Sequence, residues 1–207
     1  MKAREWQRFM DTQRRQHAKT VFSVTELANA AGVSLHVLNV ELGRLVRQGV
    51  VVRYARGKYG LPGAVAPEEL LSALDAHAYL TGAYALHRHN LVTQAPTEIT
   101  CFTNRRHNRS RARTTPVGRF TFVCVSPQVY ALPRDSLLAG PAQALCDFVY
   151  LLGRHGLDPR ALVTFRRLDV IHDDDIAALG SRYPATVLRA VEHLRHGGTG
   201  AVSSQSL

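Results

Sequence analysis

The stretch from Phe22 to Gly49 constrains this chain more than any other. Ser23-Val-Thr-Glu26 is a capping box, in which the Ser23 hydroxyl and the Glu26 carboxylate satisfy each other's backbone donors at a helix start. The helix it opens, 24–31, stops at Gly32. Ser34 then caps a further helix that runs to Gln48 and stops at Gly49. Two helices joined by a tight Gly-containing turn make a helix-turn-helix. Upstream, Trp6, Phe9 and Met10 share one face of a first helix over 5–17. Downstream, the β-branched and aromatic run Val50–Tyr54 can pair with Tyr59–Leu61 across the turn Ala55–Lys58. Three helices followed by a basic hairpin predict a winged helix-turn-helix over residues 1–61.

On the third helix Leu38, Leu42, Leu45 and Val46 form an apolar stripe at i, i+4, i+7, i+8. His36, Val40, Gly43 and Arg47 fall on the opposite face, flanked by Asn39 and Arg44. DNA recognition needs hydrogen-bonding groups for base edges and positive charge for phosphates. The candidate DNA contacts are therefore Ser34, His36, Asn39, Arg44 and Arg47 on the helix, with Arg53, Arg56 and Lys58 on the hairpin.

Charge distribution agrees. The chain carries a net +10, which favours an anionic partner such as nucleic acid. Residues 1–61 hold 11 Lys and Arg against 4 Asp and Glu. Residues 103–119 hold six Arg and no acid, and the remainder is mildly acidic. Within the second cluster Arg105, Arg106, Arg109, Arg111 and Arg113 are candidates for a second phosphate contact, on a segment (104–113) expected to form a mobile hairpin tip.

The 207 residues are 45% hydrophobic and 20% charged, the balance of a globular protein long enough for one or two domains. Leu61-Pro62-Gly63 and Pro67 mark a boundary near residue 62. The second domain, 62–198, reads as mixed α and β. Helices are expected at 68–77 and 82–89, strands at 97–102, 120–125 and 128–132, and an almost wholly apolar helix from Pro141 to Gly153. Helices at 159–168, 174–179 and 184–196 make a helical end, Gly197-Gly198 stops the last, and 199–207 reads as a disordered polar tail. The fold class is thus α+β. The start of the chain lacks a signal-peptide pattern and no stretch has the length and apolarity of a membrane span, so a cytoplasmic protein is expected.

Catalytic signals are missing. There is no P-loop, no Gly-x-Gly-x-x-Gly and no Gly-Ser with Asp-x-Asp of a nucleotidyltransferase. The only lysines are Lys2, Lys19 and Lys58, none in a nuclease-like Glu-x-Lys pattern. His87-Arg88-His89 has i, i+2 spacing, which points the rings apart on a helix. Asp173-Asp174-Asp175 suits the positive end of a helix dipole. Cys101, Cys124 and Cys146 have no CxxC spacing and read as small core residues. No catalytic residue, metal site or cofactor is expected, and the chain does not read as an enzyme.

Phe22-Ser-Val-Thr-Glu-Leu-Ala, Gly32-Val-Ser, Leu42-Gly-Arg-Leu-Val-Arg-Gln-Gly49 and Arg56-Gly-Lys-Tyr59 resemble the winged-helix start of AbiEi-type abortive-infection antitoxins. Further on, the segment from Tyr79 to Leu91 resembles that family's Gly-x-x-Ala-Leu-x-x-x-x-Leu helix, and Pro96-Thr-Glu-Ile-Thr the strand after it. Pro141-Ala-Gln-Ala-Leu-Cys-Asp147 resembles its Pro-Glu-x-Ala-Leu-x-Asp helix, with Ala142 where the family often has an acid. The resemblance spans roughly residues 5–155. It implies a two-gene toxin–antitoxin operon. The winged helix would repress the promoter, two copies sitting on inverted repeats of double-stranded operator DNA. The second domain would counter a nucleotidyltransferase-type toxin, by direct contact or indirect antagonism. The alternative reading of the residues is a ligand-sensing winged-helix repressor, whose second domain would hold a large cavity with convergent polar groups.

Overall fold

A computed structural model describes residues 2–107 and 111–196. Arg109, Gly197-Gly198 and the tail 199–207 lie outside the described residues. The chain is mixed α+β, with two sheets. It divides into two compact units, Met1–Ala76 with Thr114–Arg119 and His77–Arg113 with Phe120–Leu207.

In the first unit the element order is α1 (Ala3–His17), β1 (Phe22–Ser23), α2 (Val24–Ala31), α3 (Leu35–Arg47), β2 (Val52–Ala55), β3 (Lys58–Gly60) and α4 (Pro67–Leu74). The capping box at α2 is formed as expected: Glu26 N donates to Ser23 Oγ at 3.2 Å, and Ser23 N donates to Glu26 Oε2 at 2.8 Å. Gly32 ends α2 at φ +63, a left-handed conformation that glycine adopts without a Cβ penalty. The strands pair antiparallel in the order β1-β3-β2. Trp6, Met10, Phe22, Leu27, Leu38, Leu42 and Leu45 form the core of this unit. The indole of Trp6 also donates to Glu41 Oε1 at 2.9 Å, tying α1 to α3. Past the Pro62-Gly63 break, α4 is held through Glu69, which accepts from Thr20 Oγ1 at 2.9 Å.

The second unit starts with β4 (Ala78–Leu80) and α5 (Gly82–Arg88), in which Ala78, Tyr79, Leu80, Ala85 and Leu86 are fully buried while Arg88 at the end of α5 is exposed. β5 (Ile99–Thr103), β6 (Ala112–Thr115) and β7 (Gly118–Cys124) complete a sheet of order β4-β5-β7-β6, of which the end of β6 and the start of β7, within Thr114–Arg119, fall in the first unit. β4 and β5 are antiparallel, whereas β5 and β7 run parallel, Ile99 opposite Phe120 through Thr103 opposite Cys124. A parallel pair needs a crossover. The segment after β5 therefore is not the hairpin tip expected from its composition. Its last described residues, Ala112 and Arg113, belong to the edge strand β6, which is not a neighbour of β5 in the sheet. The strand expected at 128–132 is absent. There Tyr130 N donates to Ser126 O at 2.9 Å, so the chain turns after Pro127.

Over the sheet lies α6 (Pro141–Gly153), whose bounds match the expected helix. Eight of its residues are buried, and it packs against α5 and against α9 (Ala185–His196). Between them, α7 (Pro159–Leu162) is shorter than expected, because Phe165 leaves the helix to bridge Val92 antiparallel. α8 (Asp173–Ala177) opens on the three aspartates, with Asp175 accepting from His172 N at 3.1 Å. Cys101 and Cys146 are buried as expected, but Cys124 is exposed at the end of β7. Among the described residues no helix is long and apolar enough to cross a membrane.

Candidate nucleic-acid interface

Helix α3 begins where the Ser34 hydroxyl accepts from Val37 N at 3.4 Å. Its apolar stripe is turned inward, and Ser34, His36, Asn39, Arg44 and Arg47 are all exposed. The same outward surface carries apolar side chains that a search for polar contacts overlooks: Leu35 is 49% exposed, Val37 52% and Val40 66%. Three branched side chains left in water on one helix gain nothing from the fold. The single acid of this helix, Glu41, is half-buried and engaged by Trp6, so the outward face is free of carboxylates.

The hairpin places its cations differently. Arg53 on β2 lies opposite Tyr59 and is exposed, and the register shifts between Arg53 and Ala55. Arg56 is exposed in the turn beside Gly57, whose φ of +69 requires glycine. Lys58 is half-buried, between Ala55 and Ser23. Val24 N donates to Gly57 O at 3.1 Å, fixing the turn against the start of α2. There too, burial opposes ionisation of Glu26, but the Lys19 ammonium and the Ser23 donors outweigh it and hold its carboxyl down to about 2. The helix set and the hairpin set of basic residues thus belong to one compact unit, without a bond from one set to the other among the described contacts.

The second basic cluster, in the other unit, is split by the fold. Arg105 and Arg106 are exposed after β5, and Arg111 is exposed just before β6, its carbonyl accepting from Phe122 N at 2.6 Å. Arg113 is half-buried: its guanidinium lies over the Phe122 ring at 4.8 Å and contacts His107 Nδ1 at 3.0 Å. It braces the segment. Arg106 and Arg111 instead line a cleft of about 1000 Å³, which Arg154 and His155 close from the end of α6. Nothing in the spacing of Arg106 and Arg154 signals that they line one cleft. Only the parallel β5–β7 pairing and the packing of α6 bring them together.

One buried polar group also went unread in the sequence. Asp147, on α6, is fully buried; it accepts from Thr81 Oγ1 at 2.7 Å and from the Tyr183 hydroxyl at 2.8 Å. Burial drives its pKa up to about 7, against these hydrogen bonds, a further interaction with the Tyr79 hydroxyl and the charge of Arg182. Burial, and then Asp147, push the adjacent Cys146 thiol up to about 12, which keeps it protonated at neutral pH. These groups pin α6 to the start of α5 and to the segment before α9. His89, of the His-Arg-His sequence, contacts Ala139 O at 2.7 Å. Among the described residues no three His, Cys, Asp or Glu side chains gather as a metal site would require.

No known protein family matches the chain, and no curated protein is similar enough to count as a relative.

Proposed function

We propose that the first unit is a winged helix-turn-helix that binds double-stranded operator DNA, and that the chain is the antitoxin and autorepressor of a toxin–antitoxin pair. The observation that carries the DNA reading is the outward face of α3. It combines His36, Asn39, Arg44 and Arg47 with Val37 and Val40, all exposed, on a helix whose opposite side is the core of the unit. Hydrogen-bonding, cationic and apolar groups together match what a major groove offers: base edges, phosphates and thymine methyls. The short hairpin with Arg53, Arg56 and Lys58 supplies further phosphate contacts. One recognition helix reads only a few base pairs, so two copies occupy an inverted repeat. The antitoxin half of the proposal rests on the resemblance of residues 5–155 to AbiEi-type antitoxins, an argument by analogy. In it the second unit counters a nucleotidyltransferase-type toxin.

Footprinting on the chain's own promoter tests the DNA reading: a protected inverted repeat is expected. Replacing Arg53, Arg56 and Lys58 by Ala weakens binding to all sequences and reduces the salt slope by up to ~3. Absence of a protected repeat overturns it. Growth rescue tests the antitoxin reading, with the chain co-expressed beside its neighbouring gene.

The cleft in the second unit favours a second reading, a repressor that responds to a ligand. The two are distinguished by whether operator affinity changes with a small molecule or with a protein partner.

A further inference from the structure

The cleft beside β7 has three features that no packing requirement explains. First, Arg106, Arg111 and Arg154 line it together with His107 and His155, and no carboxylate residue is among those that line it. Among the described residues none of these three arginines is paired with an acid. Like charges brought together without counter-charge raise the energy of the folded chain. The negative end of α6 accounts for Arg154 and His155, but not for Arg106 and Arg111, which line the same cleft from a different part of the chain. Second, the cleft is concave, about 1000 Å³, at the upper end of the size of small-molecule sites. Third, its chemistry is divided: beside the cations lie apolar Val123, Pro127 and Leu151, with Asn104, Thr121 and Ser126 as neutral hydrogen-bonding groups.

We infer that this cleft binds a nucleoside polyphosphate, with its phosphates on Arg106, Arg111 and Arg154 and its base against Val123, Pro127 and Leu151. Guanidinium forks are the side chains best matched to phosphate oxygens. The apolar wall and the neutral polar groups suit a base and a sugar, which free phosphate lacks. A duplex presents its phosphates on a convex surface and has no use for an enclosed apolar wall, so a free nucleotide fits better than operator DNA. The inference stands apart from the DNA reading of the first unit, and it deepens the second, ligand-responsive reading by naming the ligand class.

The test is calorimetric titration of the full chain with ATP, GTP, inorganic tripolyphosphate and a short single-stranded oligonucleotide. The expected result is saturable binding of one nucleoside triphosphate per chain, with tripolyphosphate weaker. Arg106→Gln, Arg111→Gln and Arg154→Gln should each weaken binding about tenfold, whereas Arg134→Gln, an exposed arginine outside the cleft lining, should leave it unchanged. Cys124 gives an independent readout. It lines the cleft and is exposed, while Cys101 and Cys146 are buried. Bound nucleotide should therefore slow modification of Cys124 by a thiol reagent, and the triple arginine variant should lose that protection. Binding that persists in a His36→Ala/Asn39→Ala variant keeps this result separate from the fate of the DNA reading. Three outcomes overturn the inference: no saturable nucleotide binding, an equal loss with Arg134→Gln, or protection of Cys124 by the oligonucleotide and not by free nucleotide.

Discussion

The Tyr183 hydroxyl donates to Asp147 Oδ1 at 2.8 Å inside the second unit. With Thr81 on the other carboxylate oxygen, it holds a buried acid whose pKa is raised to about 7 from an ordinary 3.8, burial being the main cause. A raised carboxyl pKa favours the fold at low pH. Below about 4 the group is protonated in folded and unfolded chains alike. Between about 4 and 7 only the unfolded chain ionises, so stability declines as pH rises, by on the order of a few kcal/mol from this group. Above about 7 both forms are charged and the decline ends. Thermal denaturation followed by circular dichroism should show the wild type losing stability relative to Asp147→Asn from pH 4 to 7. A constant difference between the two would refute this account. Burial and the charge of Asp147 push the neighbouring Tyr79, Cys146 and Tyr183 upward, away from that window.

Val37 and Val40 should set sequence preference together with His36 and Asn39. On the proposed DNA reading, truncating Val40 to Ala would remove methyl contacts with a thymine. The expected loss is about fourfold in preference at one base position, the equivalent of one buried methylene. Selection from randomised operator DNA measures it. Loss spread evenly over all sequences would assign the valine to folding or to self-association.

Gly60 should not tolerate a side chain. A Cβ at this position would sit 2.4 Å from Thr20 O, a backbone atom that cannot swing away. Gly60→Ala should destabilise the first unit by roughly 1–3 kcal/mol through this overpacking, measured by chemical denaturation. Gly43, with nothing near its absent Cβ, is the control; Gly43→Ala should be neutral or slightly stabilising there, by helix propensity.

Ser23→Ala should cost about 1 kcal/mol by removing the α2 cap. The Glu26 carboxyl, held near 2, contributes stability at neutral pH that is lost as pH falls from about 4.5 through 2. Because Glu26 is about half exposed, with 48% side-chain accessibility, the effect of Glu26→Gln should be smaller than that of the cap itself. Acid titration of the two variants checks the order.

The elements legible in advance were those specified by neighbours in sequence. The α2 cap needs only Ser23 and Glu26, three residues apart, and α6 announces itself by Pro141 and an almost wholly apolar run. The sheet of the second unit was only partly legible, because its order depends on contacts far apart in the chain. β6, Ala-Arg-Thr-Thr, is a short polar edge strand hidden within an Arg-rich stretch, and nothing local declares that β5 and β7 run parallel. The same reason hid the cleft: Arg106 and Arg154 belong to different elements. On α3 the polar residues were legible and the exposure of Leu35 and Val37 was not, since an apolar residue is read as core unless its partner surface is known. Asp147 stands on a helix apolar nearly all round, and its partners Thr81 and Tyr183 are distant in sequence.

The single tryptophan of this chain is Trp6, fully buried in the core of the first unit, whereas five of the seven tyrosines lie in the second. The molecule therefore carries its own optical label on one unit only. Excitation at the red edge of indole absorbance reports on the first unit, while the far-ultraviolet dichroic signal averages over both. A pH-driven transition visible in dichroism and silent in tryptophan emission would identify the second unit as the one that melts, without any dye, tag or truncation.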